Sequence, residues 1–179
     1  MENPMQKITI RSATIKDAEA LVNIYKYYVE NTAISFEYET PSVNEFQNRI
    51  KKTLEKYPYL IAESDGKILG YAYASQFHPR AAYSRCAEVS IYVDKDARKC
   101  GVGKMLYGEL EKKLKEMGIL NLYACIAWTD EQDEYLNNNS TEFHVHLGYE
   151  IIGKFHKCGY KFERWYDMIW MEKMIGEHQ

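Results

Sequence analysis

The sequence predicts an α+β fold: a largely antiparallel, twisted sheet of about six or seven strands, with flanking helices and one central β-α-β crossover. Two observations predict it. Apolar segments of strand length alternate with helical patterns in the order β-α-α-β-β-β-α-β-α-β-β. The strand, helix and strand between Cys86 and Ala127 make one crossover unit inside what otherwise reads as a meander. At 179 residues, with no internal repeat, low-complexity tract or linker, the chain suits one domain, residues 1–179, with its core from about residue 8 to 173.

Each element has its own signal. Ile8 to Arg11 alternates as a first strand, and Thr14 with Asp17 three residues on opens a helix to about Val29. Its apolar positions Ala18, Leu21, Val22, Tyr25 and Val29 keep helical spacing. Asn31 to Glu39 is a β-prone loop. Ser42, with Glu45 behind it, caps a second helix to about Lys56, which Pro58 ends. Tyr59–Glu63 and Ile68–Gln76 form a hairpin around Ser64-Asp65-Gly66-Lys67. A loop from Phe77 to Ser84 leads to a strand at Cys86–Val93. A helix from about Gly103 to Met117 follows, with Gly118 as its C-terminal cap. Ile119–Ala127 is a strand, Thr129–Asn139 a polar stretch, and Ser140–His146 a short helix ending at Gly148. Tyr149–Phe155 and Trp165–Met171 close the chain as strands.

Composition narrows the function classes. A net charge of −3 argues against a general nucleic-acid binder. No apolar run approaches the ~18 residues of a membrane helix. The four cysteines form no CxxC pair, and with no signal peptide this suits reduced thiols in a cytoplasm. No His, Cys, Asp or Glu cluster has metal-ligand spacing, and His144 and His146 fall on different helix faces. Tyrosine is abundant, at 16 residues, as in clefts where a ring is buried and its hydroxyl stays wet.

The chemistry centres on Val93 to Leu114. An apolar strand, a glycine-bearing loop crowded by Lys95, Arg98, Lys99 and Lys104, and a helix N-terminus together make an anion site. Gly103-Lys104 lacks the upstream glycine and following Ser or Thr of an ATP loop. Leu106 stands where the dinucleotide fingerprint needs a small residue. The remaining pattern, Arg98-Lys99-Cys100-Gly101-Val102-Gly103, resembles the acetyl-CoA loop of the GNAT acyltransferase superfamily.

Other pieces resemble its phosphinothricin N-acetyltransferase branch, in the right order along most of the chain. They are Ser35-Phe36-Glu37, the run from Tyr57 to Ala74, Arg80-Ala81-Ala82-Tyr83, Glu88 before Ile91-Tyr92-Val93, Asn137 through Ser140 and His144 to Tyr149, Gly159-Tyr160-Lys161, and Trp165 with Asp167. The resemblance implies acetyl-CoA as donor. Backbone from Lys99 to Lys104 would cradle its pyrophosphate, and the backbone of Ile91, Tyr92 and Val93 would pair with the pantetheine arm, which Asn137 and Ser140 would face. It implies Glu88 as general base and His144 as a second proton-transfer group. It also implies a small amino-acid-like amine acceptor of the phosphinothricin, methionine sulfoximine or methionine sulfone type. Arg80 would hold the acceptor's acidic end, and Phe36, Tyr83 and Tyr92 would wall its pocket. A homodimer is expected, with Tyr160 and Trp165 reaching the partner's site.

One departure stands out. Asn137 stands eleven residues after Ile126, where the family resembled places its Asn about four after the strand isoleucine, and the extra stretch carries Asp130, Glu131, Asp133 and Glu134. It leaves open which of Asn137, Asn138 and Asn139 faces the cofactor. It also keeps open a polyamine or protein N-terminus as acceptor; a non-catalytic acyl-CoA-binding module is a third reading.

Overall fold

The computed structural model describes residues 7–98 and 100–179. Strand β1 (Thr9–Ser12) leads through a single 3-10 turn into helix α1 (Ala18–Asn31). The Asp17 carboxylate accepts the Thr14 backbone N–H at 2.7 Å, as the capping pattern requires, but the first turn is 3-10 and the α-helix begins four residues later than Thr14. Residues 32–39 form an irregular loop without a strand. Helix α2 (Val43–Leu54) starts where the Ser42 side chain accepts the Glu45 N–H. Strands β2 (Tyr59–Ser64) and β3 (Lys67–Gln76) pair through a two-residue Asp65-Gly66 turn in which both residues have positive φ, the conformation an Asp-Gly pair adopts most readily.

The crossover comprises β4 (Cys86–Val93), α3 (Val102–Glu116) and β5 (Asn121–Trp128). Gly118, at φ 81°, ends α3, and the Arg85 guanidinium donates to its carbonyl at 3.2 Å, which gives the basic residue before β4 a helix-capping role. Helix α4 (Asn139–His146) and strands β6 (Glu150–Lys161) and β7 (Arg164–Met174) complete the chain. The sheet order is β1-β2-β3-β4-β5-β7-β6, antiparallel except for β4 against β5. The last strands run longer than the alternation predicts. Two register shifts, after Ile151 and after Phe155, absorb the residues that break the β pattern between them.

Both faces of the sheet are covered over β2 to β4. On one face, Leu106, Leu110 and Leu114 of α3 pack on Ala62, Ala72, Ala74 and Ala87, small residues that let the helix approach closely. Each of those leucines contributes about 2 kcal/mol of burial. On the other face, Leu21, Tyr25 and Tyr28 of α1 and Phe46 and Ile50 of α2 pack on Tyr59, Ile61 and Tyr71. Strand alternation therefore assigns Val89 and Ile91 to the α3 side, and Glu88, Ser90 and Tyr92 to the α1–α2 side.

Candidate active site

β4 and β5 pair over only three residues, Cys86 to Glu88 against Asn121 to Tyr123. Both strands continue, to Val93 and Trp128, without pairing to each other. Past Glu88 they present facing edges of backbone N–H and C=O groups, which a buried strand leaves unmet only where something else meets them. A narrow slot of about 50 Å³ lies there, lined by Val89 to Tyr92, Ala124 to Ala127, Tyr107, Ser140 and His144. An amide-bearing chain fits such a slot by strand-like bonding. Of the expected backbone partners, Ile91 and Tyr92 line the slot, and the Val93 carbonyl is already engaged by the Tyr28 hydroxyl.

The slot leads to the N-terminus of α3. Gly101 is its N-cap at φ 78°, a left-handed conformation suited to glycine, and a Cβ placed there would meet only open space. The first-turn N–H groups of Val102, Gly103 and Lys104 have no intrahelical acceptor, so the region satisfies the geometry of an anion cradle. Gly103 has a different reason to be glycine: a Cβ would come within 2.9 Å of the Phe143 ring on α4. Arg98 lays its guanidinium over Tyr27 and Tyr28 of α1, at 5.4 and 5.5 Å from the ring centres. Cys100 is exposed in the same turn. Lys99 lies outside the described residues.

His144 is 3% exposed. Its Nδ1 lies 2.7 Å from the Ser140 carbonyl, which can only accept, so the proton sits on Nδ1. Nε2 then accepts from the Tyr107 hydroxyl at 3.0 Å. Burial lowers the imidazole pKa to about 4, so the ring is neutral at pH 7. Edge contacts with Tyr107 and Tyr149 hold it in place. Tyr107, which the sequence reading did not single out, thus reaches the slot with its hydroxyl oriented by His144. Its heptad-like place on α3 reads as core, and only the fold shows that it borders the slot.

Glu88 closes the paired part of β4 and faces away from α3. It sits opposite Ser75 on β3 and Tyr123 on β5. Burial raises its pKa above the ordinary carboxylate value, and nearby His78 offsets this in part. Its charge, after burial, helps push the Cys125 thiol up to about 12. On the same face a second cavity of about 490 Å³ lies between α2 and the sheet. Its floor includes the rings of Tyr59, Tyr71 and Tyr73, tilted from one another by only 12° to 21°. The Tyr71 hydroxyl has no hydrogen-bond partner, and the Glu37–Arg49 ion pair forms a wall. Ser75, directly across from Glu88, lines this cavity, and Tyr92 lines both cavity and slot.

Phe36 packs edge-on over Gly159, where a Cβ would meet the ring at 2.4 Å. Arg80 precedes the 3-10 turn Ala81–Tyr83 and is exposed, and Tyr83 contacts the Phe77 and His78 rings. Neither Arg80, Tyr83 nor Phe36 lines the slot or the tyrosine cavity.

The inserted stretch is engaged elsewhere. Asp130 pairs with Lys154, and Asp133 and Glu134 with Arg164. Asp133 also accepts the Tyr166 hydroxyl at 2.9 Å. These carboxylates tie the stretch to β6 and β7 and do not line either cavity, which removes the support they lent to a polyamine acceptor. Asn138 is bonded through its side chain to Thr129, and Asn137 to the Asn139 N–H. Ser140, at the start of α4, borders the slot.

A splayed parallel strand pair, a glycine-capped helix start with unpartnered N–H groups at one end of the gap and a half-buried carboxylate at the other are the parts that a coenzyme A-dependent acyltransferase needs. Comparison with known proteins agrees. A family model described as an acetyltransferase (GNAT) domain matches residues 10–170. A phosphinothricin N-acetyltransferase of Alcaligenes faecalis is 34% identical, over 94% of this chain and 83% of that protein. An L-methionine sulfoximine/L-methionine sulfone acetyltransferase of Pseudomonas aeruginosa is 31% identical, over 92% of each. The crystal structure of a phosphinothricin acetyltransferase from Sinorhizobium meliloti in complex with AcCoA superposes with a TM-score of 0.85 at 33% identity, covering 94% of this chain and 89% of that one. The chain belongs to the acetyltransferase (GNAT) family. It is an N-acetyltransferase that takes acetyl-CoA as donor.

Proposed function

We propose that the acceptor is the α-amine of a small amino-acid-like molecule of the phosphinothricin, methionine sulfoximine or methionine sulfone type. The position of Glu88 carries this reading, between the slot that suits the donor's arm and the open cleft beside it. An alkylammonium must lose a proton before it can attack a thioester, and a carboxylate whose pKa burial has raised is a better base than an exposed one. Glu88 takes that first proton. The second N–H proton leaves as the amide forms and is taken up by the departing thiolate, beside the Tyr107–His144 pair. Neutral His144 keeps the Tyr107 hydroxyl aimed and does not act as an imidazolium acid.

Arg80, exposed at the start of the Ala81–Tyr83 turn, is the group that would hold a carboxylate or phosphinate, since a guanidinium binds such anions bidentately. Tyr83, in the turn that follows Arg80, and Phe36, in the loop after α1, would wall the acceptor pocket, and the tyrosine cavity would give the acceptor's side chain room past Ser75. The names of the relatives support the substrate class. Exposed Ile151, Ile152 and Phe155 on the edge strand β6, with the tilted Tyr160–Trp165 pair at 4.8 Å, support a second copy of the chain as partner. The direct test is Glu88→Gln. It is expected to bind coenzyme A as the wild type does by calorimetry while thiol release drops about a hundredfold or more. Full turnover in that variant would remove Glu88 from the mechanism.

A further inference from the structure

Lys161 is 4% exposed, yet all its side-chain bonds go to backbone carbonyls. Its Nζ donates to Val29 at 2.7 Å, Thr32 at 2.8 Å and Ser35 at 2.6 Å. Val29 lies in the last turn of α1, whose carbonyls lack helical partners, and Thr32 and Ser35 begin the irregular loop that follows. Two further contacts join the same loop to the same strand. The Phe36 ring lies on Gly159, and the Tyr38 hydroxyl donates to the Tyr160 carbonyl. From this clamped loop, Ile34 lines the cofactor slot and Glu37 lines the tyrosine cavity. Glu37 is also held by Arg49 and by the Tyr25 hydroxyl.

From these contacts we infer that Lys161 is a positioning residue for the acceptor: its ammonium pins residues 32–38 so that Phe36 and Glu37 keep the shape of the acceptor cleft. The inference deepens the proposed function and rests on it for the identity of the acceptor. Three N–H donors on a tetrahedral nitrogen meet three carbonyls that point at one spot, a geometry that neither a neutral amine nor an apolar chain can satisfy in full. Burial lowers the pKa to about 8, which leaves the group charged at neutral pH, and Glu37 is the acidic group that opposes this shift. The neighbouring Phe162 ring lies 5.1 Å from the nitrogen and adds a cation–π contact. The Gly159-Tyr160-Lys161 run thereby acquires one purpose: each of its residues holds a different part of the loop.

The test compares wild type, Lys161→Met and Lys161→Arg in steady-state kinetics and in amide hydrogen exchange read by mass spectrometry. For Lys161→Met the acceptor KM is expected to rise about tenfold or more, because three buried carbonyls lose their donor. The KM for acetyl-CoA is expected to change less than the acceptor KM, since Ile34 is the one residue of the loop that lines the slot and the slot's backbone edges belong to β4 and β5. Exchange in residues 32–38 is expected to speed up while that of α3 stays unchanged, and Lys161→Arg, which restores donors, to recover part of both effects. An unchanged acceptor KM with unchanged loop exchange overturns the inference, as does a loss of protection spread evenly over the chain. If Lys161→Met does not fold, slowly exchanging ammonium protons of Lys161 in the nuclear magnetic resonance spectrum of the wild type support the clamp, and their absence at neutral pH refutes it. Faster loop exchange in a protein whose wild type acetylates no amino-acid analogue would overturn the proposed function while leaving the clamp in place.

Discussion

Acidification should destabilise this protein through His144, by an amount the structure sets. The folded imidazole has a pKa of about 4 against 6.5 for an unperturbed histidine, because burial disfavours the charged form. Between those two values the unfolded chain holds a proton that the folded chain does not, so stability falls as pH drops from 6.5 to about 4 and is independent of this group below that. At 1.36 kcal/mol for each pH unit, the contribution lost is roughly 3 kcal/mol. That is a large share of the ~5–15 kcal/mol that holds a typical domain folded. The measurement is urea unfolding at pH 7.5, 5.5 and 4 for the wild type and for His144→Gln, which cannot titrate. Asp17, Asp94, Asp133 and Asp167, whose pKa values are also lowered, lose stability in acid as well, but equally in both proteins. The wild type should lose about 3 kcal/mol more than the variant over this range. Parallel losses would mean that His144 is solvated or charged in the folded state, and the neutral Tyr107–His144 pair would fall with it.

Other consequences are as direct. Because burial raises the pKa of Glu88, kcat/KM should fall on acidification with a midpoint above 4.5, and a midpoint at or below 4.5 would show that the carboxylate is not buried as described. Arg80→Ala should raise KM about tenfold or more for acceptors with an acidic end and leave neutral amine acceptors alone, as loss of a charge-assisted bond predicts. Gly103→Ala forces a Cβ to within 2.9 Å of Phe143 and should cost about 1–3 kcal/mol of stability and weaken coenzyme A binding; an unchanged melting temperature would show that α4 gives way freely. Thr53→Trp, at the wall of the tyrosine cavity, should reduce kcat/KM for long acceptors more than for short ones, and equal effects would remove the cavity from acceptor binding.

Much of this was legible in the chain, because local rules and tertiary needs coincide there. Ser42 caps α2, Asp65-Gly66 makes the two-residue turn, and β4 spans Cys86–Val93 as its apolar run predicts. The order of strands was legible only in outline. Nothing local states that β7 inserts between β5 and β6, since that depends on which apolar faces meet across the sheet. The cofactor loop was visible in residue spacing, but its two glycines turn out to serve different ends: Gly101 the backbone conformation, Gly103 the contact with Phe143. Tyr107 carries no local signal of a site, because a tyrosine in a helical stripe reads as core, and its access to the slot arises from the divergence of two strands far away in sequence. The acidic insertion keeps a cationic acceptor open in the sequence, and only the fold shows Asp130, Asp133 and Glu134 paired with Lys154 and Arg164. Gly159-Tyr160-Lys161 stands out in the sequence as part of the family resemblance without a role for Lys161, which only the three converging carbonyls supply.

The measurement that bears most directly on the whole account is thiol release from acetyl-CoA, with the product identified by mass, across phosphinothricin, methionine sulfoximine, methionine sulfone, common amino acids, spermidine and a short peptide. Turnover of the amino-acid analogues with the acetyl group on their α-nitrogen, and little or none of spermidine and the peptide, is the predicted result. Preferential acetylation of spermidine or of the peptide's N-terminus would contradict the acceptor class proposed for the Glu88 cleft.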